Sequence, residues 1–256
     1  MEEVHLWRGT PEQQALRHLH RKFGQFRYFD QQLGHPDWSG KTLLDFGGNQ
    51  GNLLRDSNQT IRPQDYYCVD VIKEAIEEGR RQFPGAHWIH YDRFNCSFNP
   101  NGLHDIPIPK PRTDFEFILA YSVFTHTTRD EMHDLVAQLR LCLAPSGRLA
   151  FTFIDPHYSS WPESYEGTNL QWRLDQARES NPSADLVALL EKSRGADWCT
   201  LVNGNQLHVN GSGIDPEQEI LTYHEFYTVA RMQREFPDAT ILPPVNGEMH
   251  HCCVLR

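Results

Sequence analysis

The sequence LLDFGGNQGNLL, residues 43–54, places three glycines and two asparagines in and directly after a short apolar run. A glycine in an ordered segment costs roughly 0.5–1 kcal/mol relative to alanine, so three close together indicate a backbone that bends sharply or is closely approached. The run from Lys41 to Phe46 is typical of a buried strand that enters a turn. Parallel sheets bind ligands at such turns, so the stretch predicts a ligand-binding loop.

Strands and helices alternate after this loop. The apolar patterns predict strands at Tyr66–Val71, Ala86–Tyr91, Phe115–Tyr121 and Arg148–Ile154. They also predict a helix at Lys73–Phe83 and another that begins with a capping box of Thr128 and Glu131, with an apolar face of Met132, Leu135, Val136, Leu139 and Leu143. This order predicts right-handed crossovers and a parallel sheet covered by helices on both faces.

The two ends of the chain add further elements. Residues 11–33 read as a helix, so residues 1–38 are expected to form an N-terminal helical segment. Residues 157–220 form a long insert after the fifth strand, with a helical middle at 183–193 and a hairpin at 201–209. The remaining patterns predict a helix at Tyr223–Phe236 and final strands at Ala239–Leu242 and His250–Leu255. We expect residues 1–256 to form a single domain.

Composition limits the class of function. The formal net charge of -10 argues against a nucleic-acid substrate, because binding to phosphates needs clustered Lys and Arg. No apolar run approaches the roughly 20 residues that cross a bilayer. The polar N-terminus, MEEVHLWRGT, is no signal peptide, so we expect a cytoplasmic protein without a membrane partner. The oligomeric state stays open.

The glycine spacing distinguishes two ligand classes. A dinucleotide fingerprint requires G-x-G-x-x-G. Counted from Gly47, the third and sixth positions are Asn49 and Asn52, and counting from Gly48 fits worse. The register therefore disfavours a nicotinamide-dependent oxidoreductase, which remains one alternative.

The same window resembles motif I of the class I S-adenosylmethionine-dependent methyltransferases, D-x-G-x-G-x-G. Asp45, Gly47 and Gly51 match the motif, and Asn49 replaces its middle glycine. Asparagine tolerates the left-handed backbone region better than most residues, so the turn survives the replacement. The stretches AYSVFTH (120–126) and LAPSGRLAFTF (143–153) resemble the segments of the family after strand four and leading into strand five.

This resemblance implies an α/β fold: a Rossmann-like seven-stranded sheet with one antiparallel strand. It implies S-adenosylmethionine as cofactor and methyl transfer to a small-molecule acceptor, at oxygen or nitrogen rather than carbon. A protein that binds the cofactor without methylating is a second alternative. By the same resemblance, Asp70 accepts hydrogen bonds from the ribose, Asp92 lies near the adenine amino group, and the set of candidate cofactor residues is Asp45, Gly47, Gly48, Asn49, Gly51, Asp70, Val71, Asp92, Arg93, Tyr121 and Ser122. Asp45 either organises the loop amides or touches the ligand.

Other candidates follow from the residues themselves. Arg27 and Tyr28, on the N-terminal helix, are candidates for binding the cofactor carboxylate. A base is needed only for an acceptor that must lose a proton, and the histidines at strand ends, His126, His157 and His250, are the candidates. HHCC, residues 250–253, predicts no metal site, because successive residues of a strand point to opposite faces.

Overall fold

The computed structural model describes residues 24–159, 167–178, 185–211, 220, 222–245 and 248–256. The predicted first half of the N-terminal helix lies outside the described residues. In the part that is described, no helix is both long enough and apolar enough to cross a membrane.

The described chain contains ten strands, β1 to β10, which are in order Leu43–Phe46, Tyr66–Asp70, His87–His90, Phe115–Ala120, Leu143–Ile154, Trp198–Val202, Gln206–Val209, Tyr223–Tyr227, Thr240–Leu242 and His250–Leu255. Seven of them form one sheet in the order β3-β2-β1-β4-β5-β10-β9. Strand β10 runs antiparallel to both of its neighbours, and the other pairs in the sheet are parallel. This confirms the predicted α/β sheet with one antiparallel strand.

Helices cover both faces of the sheet. The described helices, α1 to α7, are Gln25–Gln32, Asn52–Asp56, Lys73–Gln82, Arg129–Arg140, Asn169–Arg178, Leu186–Ser193 and Val229–Glu235. One core cluster joins α4 and α7 to the sheet, and a second joins α1 and α2 to the opposite face. Helix α4 begins with the predicted capping box, in which the Thr128 side chain accepts from the Glu131 N–H and the Glu131 carboxylate accepts from the Thr128 N–H.

The insert after β5 builds a second, smaller sheet in the order β7-β6-β8. Its predicted hairpin is confirmed: β6 and β7 pair antiparallel, and the turn uses left-handed backbone at Asn203 and Gly204. A third core cluster, which includes Leu170 and Leu174 of α5 and Ile154 of β5, joins the insert to the central sheet.

Two predicted boundaries are wrong. The predicted helix at Tyr223–Phe236 is a strand, β8, followed by the shorter helix α7. Strand β8 pairs with β6, and Thr228 then caps α7 by accepting from the Arg231 N–H. Strand β5 begins at Leu143 rather than Arg148, because Leu143 already pairs with Phe115 of β4. Leu143 therefore belongs to this strand and not to the apolar face of α4, where the sequence pattern had put it.

The turn between β1 and α2 fits closely against β3. Gly51 has φ +82°, and a Cβ at this position would lie 2.6 Å from the ring of Trp88. The Trp88 ring is buried and its indole N–H donates to the Phe83 carbonyl oxygen, so it cannot move aside easily. Glycine is therefore required at position 51 for two reasons, the left-handed backbone and the close contact with Trp88.

We expect Gly51→Ala to lower the free energy of unfolding by about 2–4 kcal/mol, the sum of left-handed strain and overpacking. Gly34→Ala is the matched control, because Gly34 has φ +75° and a Cβ added there would meet nothing within 4 Å. Gly34→Ala should cost only the backbone term, about 1–2 kcal/mol. Urea denaturation of both variants measures the difference, and equal losses would contradict the close contact with Trp88.

Candidate active site

The glycine loop turns sharply at the carboxyl end of β1. The Gly47 N–H donates to the Val69 carbonyl oxygen at 2.7 Å, which continues the pairing of β1 with β2. Gly47 has φ +73°, and a Cβ there would clash with a methyl group of Val123. Asn49 adopts φ +52°, so asparagine does take the left-handed position where the motif has glycine. Its side-chain oxygen accepts from the Gln50 N–H at 2.9 Å, within the loop itself.

Asp70 at the end of β2 holds this loop. Its Oδ2 accepts from the Asn49 N–H at 2.7 Å, and its Oδ1 accepts from the Ile72 N–H at 2.8 Å. The side chain is buried, and that burial raises the pKa of Asp70. A carboxylate has about four acceptor sites, so both oxygens keep capacity for further donors. Asp70 also lines the cleft that opens beside the loop.

Asp45 lies beneath the loop rather than in the cleft. Its Oδ2 accepts from the Tyr66 hydroxyl at 2.5 Å, and a Cβ at Gly48 would lie 2.6 Å from its carboxyl carbon. Burial raises the pKa of Asp45 to about 7. The nearby Asp70 also raises this pKa, whereas the hydrogen bond from Tyr66 lowers it. Asp45, Gly48 and Gly51 are therefore structural supports of the loop, and their contact with a ligand stays a prediction.

The cleft extends from the glycine loop to the turn after β4. Of the residues predicted from the sequence, those that line it are Gly47, Asn49, Asp70, Val71, Arg93, Tyr121, Ser122 and His126. The sequence analysis missed an apolar group, chiefly Phe46, Ile72, Phe94, Phe98 and Val123, and three polar residues, Asn95, Thr127 and Glu131. Ile72 could have been predicted, because it lies only two residues beyond Asp70, which ends β2. Phe94 to Phe98 could not, because this stretch has no helical or strand periodicity.

Asp92 and Arg93 occupy different surroundings. Asp92 is exposed and lies in a shallow hollow next to the cleft, where it accepts from the Asn99 amide at 3.0 Å. Arg93 is buried in the cleft wall, with Nη2 3.5 Å from Glu131 and Nη1 3.7 Å from Asp134. It also donates to the Ile106 carbonyl oxygen. These bonds fix the guanidinium as part of the wall.

The turn after β4 forms the opposite end of the cleft. Ser122 has φ +57°, and its N–H donates to the buried Thr152 hydroxyl at 2.7 Å. The hydroxyl of Tyr121 lies 3.1 Å from Glu248 and 3.3 Å from Nδ1 of His250. All three of these side chains are buried. This end of the cleft is therefore polar, whereas much of its wall is apolar.

The N-terminal helix supports this end from behind. The Tyr28 hydroxyl donates to the His250 carbonyl oxygen at 3.0 Å, and its ring packs edge-on against Tyr121. Tyr28 is buried there, whereas Arg27 is exposed. Neither is among the described residues that line the cleft, so their predicted contact with a cofactor carboxylate stays a prediction.

The three predicted histidines are not equivalent. His126 lines the cleft, and its Nδ1–H donates to the Tyr223 carbonyl oxygen at 3.1 Å, which leaves the lone pair on Nε2. Burial lowers the pKa of His126 to about 4, with the charge of Arg173 adding to the effect. His157 is exposed, bonds through Nε2 to the Ala196 carbonyl oxygen and is not among the described residues that line the cleft, so its catalytic role stays a prediction.

His250 lies beside the cleft. Its ring is 4.9 Å from that of Tyr121, and its Nε2 is buried without a hydrogen-bond partner in the described part of the chain. His251 and Cys253 point to the other face of β10, toward Phe153 and the α4 side. Within the described ranges, no three His, Cys, Asp or Glu side chains group so as to hold a metal ion.

This arrangement of a turn after β1, an acid after β2 and a polar turn after β4 agrees with the comparisons. Residues 44–149 match a protein family described as a methyltransferase domain. This match covers less than half of the chain. Together with the fold, it supports an enzyme that uses S-adenosylmethionine over the nicotinamide-dependent alternative.

Solved structures agree with the fold. The glycopeptide N-methyltransferase MtfA is 11% identical, with a TM-score of 0.51 over 93% of this chain and 99% of that one. Its complex with S-adenosylmethionine is 10% identical, with a TM-score of 0.50 over 91% of this chain and 92% of that one. At such identities the likeness concerns the fold alone. Among curated proteins, none matches this sequence significantly.

The buried Asp45 gives the methyltransferase a pH-dependent stability. Its folded-state pKa of about 7 lies above the unfolded value near 4, so the folded protein holds an extra proton between these values and loses stability as the pH rises through them. Asp45→Asn carries no such proton. We expect it to be more stable than the wild type by about 2–4 kcal/mol at pH 8.

The difference should shrink steadily toward pH 4, as measured by urea denaturation across the pH range. Tyr66→Phe is the companion variant. Because the Tyr66 hydroxyl lowers the pKa of Asp45, its removal should move the wild-type transition to higher pH. A difference between Asp45→Asn and wild type that does not change with pH would contradict the raised pKa.

Proposed function

We propose that this enzyme transfers a methyl group to a small-molecule acceptor, at oxygen or nitrogen. The observation that carries the proposal is the cleft between Asp70 and the Tyr121–Ser122 turn. It has the carboxylate of Asp70 at one end and a buried polar group at the other. Its narrow, largely apolar wall suits a small acceptor and not a nucleic-acid strand, in keeping with the net charge of -10.

The chain's own residues fit the cofactor. Asp70 keeps free acceptor capacity for two ribose hydroxyls, and Gly47 leaves room where a Cβ would meet Val123. Ile72 and Phe98 offer apolar surface close to Asp92, the residue expected near the adenine. When bound, S-adenosylmethionine supplies an electrophilic methyl group on a sulfonium. The protein then has to align the acceptor and exclude water.

The group of Tyr121, Glu248 and His250 is our candidate for removing a proton from the acceptor. Tyr121 lines the cleft, and His250 and Glu248 stand directly behind its hydroxyl. His126 fits this role less well, because a base with a pKa of about 4 binds a proton weakly at neutral pH. We assign His126 to acceptor binding through its Nε2 lone pair.

The insert, residues 157–220, is proposed to shape the acceptor pocket. Strand β8 comes directly after the insert in the chain and pairs with β6 of the insert. The Tyr223 carbonyl oxygen, at the start of β8, accepts a hydrogen bond from the His126 ring. All six cysteines are unpaired, which supports the proposal of a reducing, cytoplasmic setting.

Cofactor binding is the first test. We expect S-adenosylhomocysteine to bind the purified protein in isothermal titration, and Asp70→Ala to weaken that binding at least about tenfold, since it removes charge-assisted hydrogen bonds. Asn49→Gly is the matched loop control, because the Asn49 side chain bonds only the loop and its backbone already takes the conformation that glycine favours. Its affinity should stay within about threefold of wild type. Absence of binding by wild type would overturn the proposal.

Transfer of a radiolabelled methyl group to acceptor compounds tests the catalytic step. We expect His250→Gln to lower kcat by about 10²–10⁴-fold, the usual contribution of a general base, without changing affinity for S-adenosylhomocysteine. His126→Gln should act mainly on KM for the acceptor. The reverse pattern would assign the proton transfer to His126.

A further inference from the structure

A partly buried cation stands behind the acceptor end of the cleft, and no carboxylate of the described residues forms an ion pair with it. Arg173, on α5, donates through Nη2 to Nε2 of His224, and its guanidinium lies 6.0 Å from the centre of the Trp172 ring. Burial lowers the pKa of Arg173 to about 10. No ion pair joins Arg173 to an acidic side chain within the ranges that the structure describes. A guanidinium has five N–H donors, and the bond to His224 uses one of them, so counted over the described residues Arg173 keeps donors for another acceptor.

Other arginines of this protein have carboxylate neighbours. Arg93, in the cleft wall, has Glu131 and Asp134 as neighbours. Arg129 pairs with the buried Glu235 at 2.8 Å. A desolvated cation without such a neighbour costs free energy, unless a ligand supplies the negative charge. The position of Arg173 is therefore that of a residue whose counter-ion is brought by something else.

Arg173 is connected to the cleft through two histidine rings. The ring of His224 lies 4.6 Å from that of His126, and His126 lines the cleft. The positive charge of Arg173 also helps to lower the pKa of His126. Arg173 therefore lies behind the His126 ring, which lines the cleft together with Tyr121.

The rings next to Arg173 are arranged to leave its charge uncompensated. Nε2 of His224 faces an arginine, which can only donate, so this nitrogen is the acceptor. His126 is neutral above about pH 4. Neither ring supplies a negative charge. An oxyanion is the group that matches a guanidinium fork flanked by neutral rings, because carboxylate and phosphate oxygens accept its N–H groups in pairs.

We propose that the methyl acceptor is an anion, a small molecule whose carboxylate or phosphate group binds Arg173. This rests on the proposed function and narrows its substrate class. The anionic group anchors the acceptor at the insert side, and the nucleophilic oxygen or nitrogen then faces the Tyr121–Ser122 end of the cleft. His126 lies between the two ends and contacts the body of the acceptor.

The test follows binding of simple probes in the full chain, without cofactor. In protein labelled with ¹⁵N-arginine, we titrate benzoate, phenyl phosphate and the neutral benzamide, and assign the Arg173 Nε–H signal by its loss in Arg173→Met. We expect a saturable shift of this signal with at least one anion and none with benzamide. The stronger of benzoate and phenyl phosphate then identifies the anionic group.

A second readout is the titration of the His126 ring. A bound anion favours the imidazolium, so the anion that binds should raise the pKa of His126 in wild type. It should do so less in Arg173→Lys and not at all in Arg173→Met. Arg140→Met is the control for loss of one positive charge, because Arg140 pairs with Asp238 and donates to the Arg256 carbonyl oxygen, at the opposite end of β10 from His250. It should bind the anion as wild type does.

Several results would overturn the proposal. They are an unchanged Arg173 signal with both anions up to about 50 mM, where even weak specific binding would show, equal binding of benzamide, or unchanged anion binding in Arg173→Met. A loss of S-adenosylhomocysteine affinity in Arg173→Met that Arg140→Met does not share would assign Arg173 to the cofactor instead. Failure of wild type to bind S-adenosylhomocysteine would sink the proposed function alone, since the anion titrations need no cofactor.

Discussion

The carboxylate of Asp70 is the point at which the loop, the sheet and the cleft meet. One oxygen holds the Asn49 N–H of the glycine loop, and the other holds the Ile72 N–H beyond β2. Because both contacts come from backbone, the carboxylate fixes the shape of two connections at once. The left-handed turn at Asn49 is what directs its N–H toward β2. The ligand-binding geometry therefore depends on a local conformation that asparagine and glycine adopt at little cost.

Two buried carboxylates lie close together under this loop and differ in their partners. Asp70 receives backbone N–H groups, which favour its charged form, whereas Asp45 receives only the Tyr66 hydroxyl. The charge of Asp70 makes ionisation of Asp45 less favourable, because a like charge nearby disfavours the charged form. A negative charge at Asp70 and a proton at Asp45 is the arrangement that suits ribose binding. Burying Asp45 costs stability, and in return Asp45 supports the loop beside Asp70, the acid that faces the cleft.

The sequence predicted the central sheet well, and it indicated several residues that line the cleft beside β1 and β2, because both depend on local patterns. Apolar strands, the capping box at Thr128 and the acid that ends β2 are each visible within a few residues. The acceptor end depends on contacts between distant segments. Tyr28 meets the carbonyl of His250, and Tyr121 meets Glu248, across more than a hundred residues of chain. No local pattern indicates such a contact. Strand β8 was missed for a similar reason, since its pairing with β6 decides its conformation.

The acceptor end is held together by the turn after β4. Ser122 takes a strained left-handed conformation, which the bond from its N–H to Thr152 stabilises, and four residues later His126 is bonded to the insert side through the Tyr223 carbonyl oxygen. The turn is therefore fixed on one side by the central sheet and on the other by β8. Movement of the insert would displace the His126 ring and leave the Asp70 end unchanged. In the arrangement that we propose, cofactor and acceptor bind at opposite ends of one cleft, so that the two affinities can vary independently.

An anionic acceptor has to reach its site on a protein with a net charge of -10. The long-range field of the protein opposes its approach, whereas Arg173 attracts it only at short range. Salt screens the first effect more than the second, because surface charges are screened over about 8–10 Å and partly buried ones much less. Moderate salt should therefore speed association of the acceptor rather than slow it. A protein that binds its anionic ligand through an exposed basic patch would show the opposite dependence. The expectation differs here because Arg173 is partly buried.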